Sequence, residues 1–295
     1  MVAWIVFLGM ILAGSAFAAV PEPSSSYPSP SAPPSPAATA ETEAPLRVNA
    51  AEQLQWKPED QALEAVGNVN LAYKGFVLKA HRARLMYQTN AQSPVSTTAP
   101  AMENIRAFDL QGGVVFKNPL YEITCQRAHY QIADQRLRLT GDPVVIKNAA
   151  DTAKIWGTLT VDLANARVDG VGAVHLSRQA YDIKGQDLTM IFFPWDISRL
   201  QDATLNTASL LRDVVLTYPQ LKVTGNQGLF DAAGQTVTLT SNVTITRDSS
   251  VIHTEKAVLD LTTRRVRLSS PNQPVTGKIH VPDFENNNTQ PKDTP

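Results

Sequence analysis

The sequence predicts an all-β protein of stacked antiparallel β repeats, on three observations. After residue 46 the apolar residues alternate, as in Val69-Leu71, Phe76-Leu78, Val114-Phe116, Leu137-Leu139, Leu159-Val161 and Val243-Ile245. A period of two puts both members of such a pair on one face of a strand. Thr, Val, Ile and Leu dominate these runs, and the gaps between them are short and rich in Gly, Asp, Asn and Gln. The whole set then recurs, over most of its length at intervals of about thirty residues, which marks a repeat architecture.

Each repeat has two halves. In the first, a short turn leads into a pair of alternating apolar residues: Gly67-Asn68-Val69-Asn70-Leu71, Gly112-Gly113-Val114-Val115-Phe116, Gly141-Asp142-Pro143-Val144-Val145-Ile146 and Gly172-Ala173-Val174-His175-Leu176. Two later copies, Arg212-Asp213-Val214 and Ser241-Asn242-Val243, have lost the glycine. The second half is a strand, a polar turn and a return strand, as at Ala128 to Asp134, Leu159 to Asn165 and Gly228 to Gly234. One repeat cannot bury its apolar face alone, so neighbouring copies must share a core. Asp196 to Leu211 is the one stretch that reads as a short helix instead.

The first forty-five residues belong outside the fold. A short apolar stretch, Trp4 to Leu12, runs into Ala16-Phe17-Ala18, so 1–19 reads as a secretory signal cleaved after Ala18 or Ala19. No cysteine follows that could carry a lipid anchor. Residues 20–45 are Pro, Ser, Ala and Thr, with too little apolar mass to offset the entropy of ordering, and read as a disordered tether. Thr89 to Ala101 interrupts the first repeat with a similar composition. A first β unit is expected over 46–192, a hinge or short helix over 193–209, further repeats over 210–281 and a disordered tail over 282–295.

Composition narrows the function. The 26 Lys and Arg against 27 Asp and Glu give a net charge of −1 with both signs interspersed, so no basic stripe recommends a nucleic-acid partner. The single Cys125 rules out an internal disulfide framework; two residues after Ile123, it reads as a small buried hydrophobe. The five histidines, His81, His129, His175, His253 and His280, fall in different repeats without metal-ligand spacing. His175, between two inward residues, is expected to face solvent. No nucleophile elbow or phosphate-cradling glycine loop is present. The chain therefore reads as a non-enzyme without cofactor or metal.

The recurring segments Ala50 to Leu71, Leu137 to Ile146 and Gly157 to Leu176 resemble the OstA-like domain of the LptA family of lipopolysaccharide-transport proteins, over roughly Leu46 to Phe192. That resemblance implies a half-open β-jellyroll in the periplasm whose groove holds the acyl chains of lipid A. It implies head-to-tail homo-oligomers and pairing with LptC-like and LptD-like jellyrolls through edge strands, here near Leu46-Val48 and Lys278-Val281. The groove candidates are Val69, Leu71, Val114, Phe116, Val144, Ile146, Val174 and Leu176, with Lys79, Arg82 or Arg84 at the rim for phosphate or sugar. The repeats after Leu205 exceed the family pattern, so either the jellyroll is longer or a second partial one follows a hinge at Phe193-Pro194-Trp195-Asp196. Two other readings stay open: an LptC-like component anchored by an uncleaved 1–20 segment, and a structural β-repeat protein without lipid cargo.

Overall fold

The computed structural model describes residues 47–73, 76–88, 105–118, 121–178, 181–192, 205–263, 265–272 and 274–278. Every regular element among them is a strand. The chain begins with β1 (Arg47–Asn49), β2 (Gln53–Lys57), β3 (Ala62–Tyr73), β4 (Phe76–Tyr87), β5 (Ile105–Lys117) and β6 (Glu122–Gln131). It continues through β7 (Arg136–Lys147), β8 (Asp151–Asp162), β9 (Arg167–Arg178), β10 (Tyr181–Phe192) and β11 (Leu205–Tyr218). Last come β12 (Leu221–Asp231), β13 (Thr236–Arg247), β14 (Ser250–Asp260), β15 (Arg265–Ser269) and β16 (Thr276–Lys278). From β3 to β15 each strand pairs antiparallel with the next, giving one 16-stranded meander. The signal, tether and tail expected at 1–19, 20–45 and 282–295, and the insertion at 89–101, lie outside the described residues.

β10 and β11, on either side of 193–204, pair with each other in the one sheet. Residues 205–209, placed by the sequence in a short helix, open β11 instead and pair with Thr189 to Phe192 of β10. Ladder partners on β10 and β12 outweigh a weak helical preference in this stretch. Residues 193–204, with the hinge motif, lie outside the described residues.

The glycine motifs read from sequence as turns are bends inside strands. Val66 pairs with Arg82 and Val69 with Ala80, so Gly67 and Asn68 face only His81. Gly112 and Gly113 face Gln126 in the same way, Arg212 and Asp213 face Asn226, and Ser241 and Asn242 face Glu255. Two residues against one make a β-bulge, which bends the strand and sharpens its twist. These bulge residues hold positive φ, from 45° at Asn68 to 82° at Gly67. Between β8 and β9 the register is unbroken, and the crease is made by Gly157 opposite Gly172, at φ 144° and 113°. A Cβ on Gly172 would lie 2.1 Å from the Trp156 carbonyl oxygen, so only glycine permits this approach. The bulges line up strand after strand into one crease across the sheet.

The crease explains how one sheet makes a core. The inward residues on both sides of it are buried together, for example Leu110 with Phe116 and Leu139 with Ile146, in a single cluster. With no helix and no second sheet among the described residues, the apolar face can only be covered by the sheet doubling back along the crease. This is a half-open β-jellyroll carried through the whole repeat array.

The true reversals sit at two rims. On one, the turns 58–61, 132–135, 163–166 and 232–235 each close by a bond from the last N–H to the carbonyl three residues back, 3.2 Å at Gln61 to Pro58. Those last residues, Gln61, Gln135, Ala166 and Gln235, lie at φ 46–50°. Their carbonyls then accept from the next hairpin, as in Tyr87 N–H to Gln61 (2.9 Å) and Leu163 N–H to Gln135 (3.0 Å). The turns thus stack as the strands do. Asp162 anchors one of them, accepting from the Asn165 backbone (3.1 Å) and from Arg136 Nε (2.9 Å). Burial pushes its carboxyl upward, but the bonds from Asn165 and Arg136 outweigh this and hold it below the usual range.

Candidate functional site

The interior is built of apolar ladders that cross the sheet from end to end. In antiparallel pairing, residues directly opposite share a face and touch. One ladder begins Leu71, Leu78, Phe116, Ile123, Ile146, Ala153 and Leu176. It goes on through Ile183, Leu216, Val223 and Ile245 to Ile252 on β14. No member is polar. Across the crease a second ladder starts at Leu63, Leu85, Phe108, Tyr130, Leu137 and Val161 and ends at Leu259 and Val266. A third, beside the crease, mixes small residues with leucine: Ala65, Ala83, Leu110, Ala128, Leu139 and Leu159. It continues Gly170, Leu188, Leu210, Gly228, Leu239 and Ala257. The small members make room where the two walls converge.

The residues expected to line a groove all lie on this inner face. Val114 and Val144 are fully buried, Val69, Leu71, Phe116, Ile146 and Val174 belong to the same cluster, and Leu176 packs against it half-buried. They come from β3, β5, β7 and β9, and all from one side of the crease. The facing wall, with Leu110, Leu139, Leu159 and Val168, was not among them. Its signal was present in the pairs Leu137-Leu139 and Leu159-Val161, but without the crease nothing in the sequence brings those pairs opposite Phe116 and Ile146. Met190 and Phe192, from the most apolar run of the folded part, are core residues, while Ile191 faces out.

The outer face carries the polar chemistry. Lys79, Arg82 and Arg84 alternate with the buried Ala80, Ala83 and Leu85 and so point away from the interior. Arg84 lies 3.5 Å from Glu64, whose carboxyl is held low chiefly by its bond from Lys57 at 2.8 Å. His175 faces outward as expected, but it meets Asp182 of β10 instead of standing free in solvent. Asp187 sits on the crease, taking the Gly172 N–H at 3.1 Å and the Arg212 guanidinium. The Gly172 N–H, first, and Arg212 hold its carboxyl below the usual range. Cys125 is buried as expected, and burial pushes its thiol up to about 12. Among the described residues no group of His, Cys, Asp and Glu is arranged to hold a metal ion.

The two ends of the sheet are open and alike in build. At the first, β3 is edged by two half-strands, β1 of 3 residues and β2 of 5, split at the crease by 50–52. At the other, β14 is edged by two half-strands, β15 of 5 residues and β16 of 3. Inner-face residues are uncovered at both: Leu54, opposite the buried Ala65, is 54% exposed, and Val266, opposite the buried Leu259, is 39% exposed.

No family model matches the chain, and no curated protein matches it. Among solved structures it aligns with LptH, described as the LptA-homologous periplasmic component of the lipopolysaccharide transport device of Pseudomonas aeruginosa. That alignment covers 80% of this chain and 96% of the other, at 11% identity and a TM-score of 0.19.

Proposed function

We propose that this chain is a periplasmic lipopolysaccharide-binding bridge, which passes lipid A acyl chains from the inner to the outer membrane along the inner face of its folded sheet. The observation that carries this reading is the unbroken run of apolar ladders from β3 to β14, with no charged member, open at both ends. The repeat motifs that resemble the OstA-like domain support it. Each methylene moved from water into such an interior gains about 0.8 kcal/mol, so acyl chains need no specific polar partner. The interior is close-packed in the free chain, and loading requires the two walls to part about the crease. Val69, Leu71, Val114, Phe116, Val144, Ile146, Val174 and Leu176 form one wall of the path, and the ladder through Leu110 and Leu139 the other.

The ends support head-to-tail assembly. β2 runs toward the rim of 58–61, and β15 runs away from the rim of 261–263, which lies on the same side. Placed edge to edge, the second copy's β2 meets the first copy's β15 antiparallel, five residues against five, and β1 meets β16, three against three. The meander and its interior then continue across the junction. LptC-like and LptD-like jellyrolls are the partners proposed for the outermost copies.

The test is lipid extraction from the protein purified from a bacterial envelope, followed by mass spectrometry. Lipid A species bound in near-stoichiometric amount support the proposal; their absence from protein that binds them neither in the envelope nor after incubation with lipopolysaccharide rejects it. The packed interior favours a second reading, a structural β-repeat protein without cargo, and that rejection would establish it.

A further inference from the structure

The outer side of the crease changes character along its length. At β9 to β11, Asp187 supplies a carboxylate that takes the Gly172 N–H at 3.1 Å and the guanidinium of Arg212. At the first edge the Glu52 side chain lies over Gly67, so close that a Cβ there would be 2.4 Å from its Cγ. Near the last, Glu255 takes the Asn272 amide at 3.3 Å. Between β4 and β6 no carboxylate of the described residues sits on the crease itself: Asp109, one outer-face row away on β5, accepts from Gln111 Nε2 at 3.3 Å and lies 3.9 Å from His129. The single residues facing the bulges are His81 and Gln126, and beside them stand Arg82 and Arg127.

This part of the crease forms a depression. Its floor is Gly112-Gly113, neither of which has a register partner on β4 or β6. Nothing lies within 4 Å of where a Gly113 Cβ would be. Arg82 and Arg127 both pair with Gln111, so they stand on one row, two strands and about 9.6 Å apart. They, His81, Gln111 and Gln126 wall the depression. Neither arginine makes an ion pair or side-chain hydrogen bond among the described residues. Glu64 feels the charge of Arg82 but is already bound by Lys57, and Asp142, next along the crease on β7, forms no ion pair among the described residues. Two unpaired guanidiniums over a glycine floor reproduce the setting that elsewhere on the crease holds a carboxylate.

We propose that the depression of Arg82, Arg127 and His81 over Gly112-Gly113 binds the phosphate group of an external ligand, in the place that Asp187 fills further along the crease. Guanidinium forks match phosphate oxygens in geometry and charge. The site is on the outer face, so it stands apart from whatever the interior carries. Its source is either a soluble phosphate or a lipid headgroup.

The experiment uses the full chain with two probes. Sodium phosphate is titrated at ionic strength matched with sodium chloride, and vesicles of phosphatidylcholine with and without phosphatidic acid are tested by co-sedimentation. R82Q/R127Q is expected to bind either active probe about tenfold more weakly or worse, while R138Q, on the same face away from the crease, keeps wild-type affinity. Q126D places a carboxylate in the depression; it is expected to abolish phosphate binding with the fold retained by circular dichroism. A response to phosphate assigns a soluble ligand, and a response to phosphatidic acid alone assigns a headgroup. The proposal is overturned if neither probe binds wild type, or if R82Q/R127Q or Q126D binds as wild type does.

Discussion

Gly172→Ala perturbs the crease at its tightest point. The new Cβ would lie 2.1 Å from the Trp156 carbonyl oxygen, against the 3.0 Å below which real contacts essentially never fall, so two paired strands must separate by about 1 Å. The obstacle is backbone and cannot rotate away. The residue also sits at φ 113°, where an L side chain costs about 1–3 kcal/mol. Adding about 1–3 kcal/mol for overpacking gives a loss near 4 kcal/mol. Gly113→Ala is the matched control. Its φ is 60° and its Cβ meets nothing within 4 Å, so it pays only the left-handed penalty of about 1–2 kcal/mol. Urea unfolding of both variants, followed by far-ultraviolet circular dichroism and by tryptophan fluorescence, reads the difference. Two probes are needed because a long repeat array does not have to unfold in one step. A Gly172→Ala loss within about 1 kcal/mol of the Gly113→Ala loss would refute the claim that close backbone approach at Gly157 and Gly172 shapes the crease.

Asp162→Asn should cost about 1–2 kcal/mol at neutral pH, a modest figure because Arg136 is largely exposed. Since the folded-state carboxyl is held low, that contribution is complete above the ordinary value of about 4 and disappears as pH falls through the folded value. Wild type and variant should therefore converge in stability in acid; a gap that widens there would contradict the assignment. Cys125, buried with its thiol pushed up to about 12, should resist alkylation at pH 8 in the folded chain and react on unfolding; rapid native labelling would show that the walls part on their own. Leu54→Asp and Val266→Asp each place a charge on an open end of the core, and each should abolish the proposed head-to-tail assembly, read as the concentration dependence of sedimentation, while leaving the monomer folded. Assembly unchanged by both would place the contact elsewhere.

The period-two pairs made the strands legible in the sequence, because a half-buried strand has no other pattern. The repeat was legible too, since each bulge recurs with Gly, Asn, Asp or Ser at the same place in its strand. What the sequence did not disclose was that Gly67-Asn68 and Gly112-Gly113 bend strands without ending them. A residue at positive φ serves a reversal and a bulge equally well, and the choice depends on which partners lie to either side. That one ambiguity hid half of the interior. With the crease unread, Leu110, Leu139 and Leu159 had no reason to face Val114 and Ile146, so only one wall was named. The short helix read over 205–209 arose likewise, because β11 gains its strand character there from β10 and β12 more than from its own residues. Nothing in the sequence brings Arg82 of β4 beside Arg127 of β6, because both reach one row only through their pairing with Gln111 of β5.

Site-specific photo-crosslinking at Phe116 and at Val115 tests the lipid-carrying interior most directly. The two residues are neighbours in β5, Phe116 buried on the inner face and Val115 on the outer. A photoreactive side chain at Phe116, in cells making lipopolysaccharide, should give a lipopolysaccharide adduct, and one at Val115 should not. Adducts at both positions alike, or at neither, would contradict a cargo path along the inner face of the sheet.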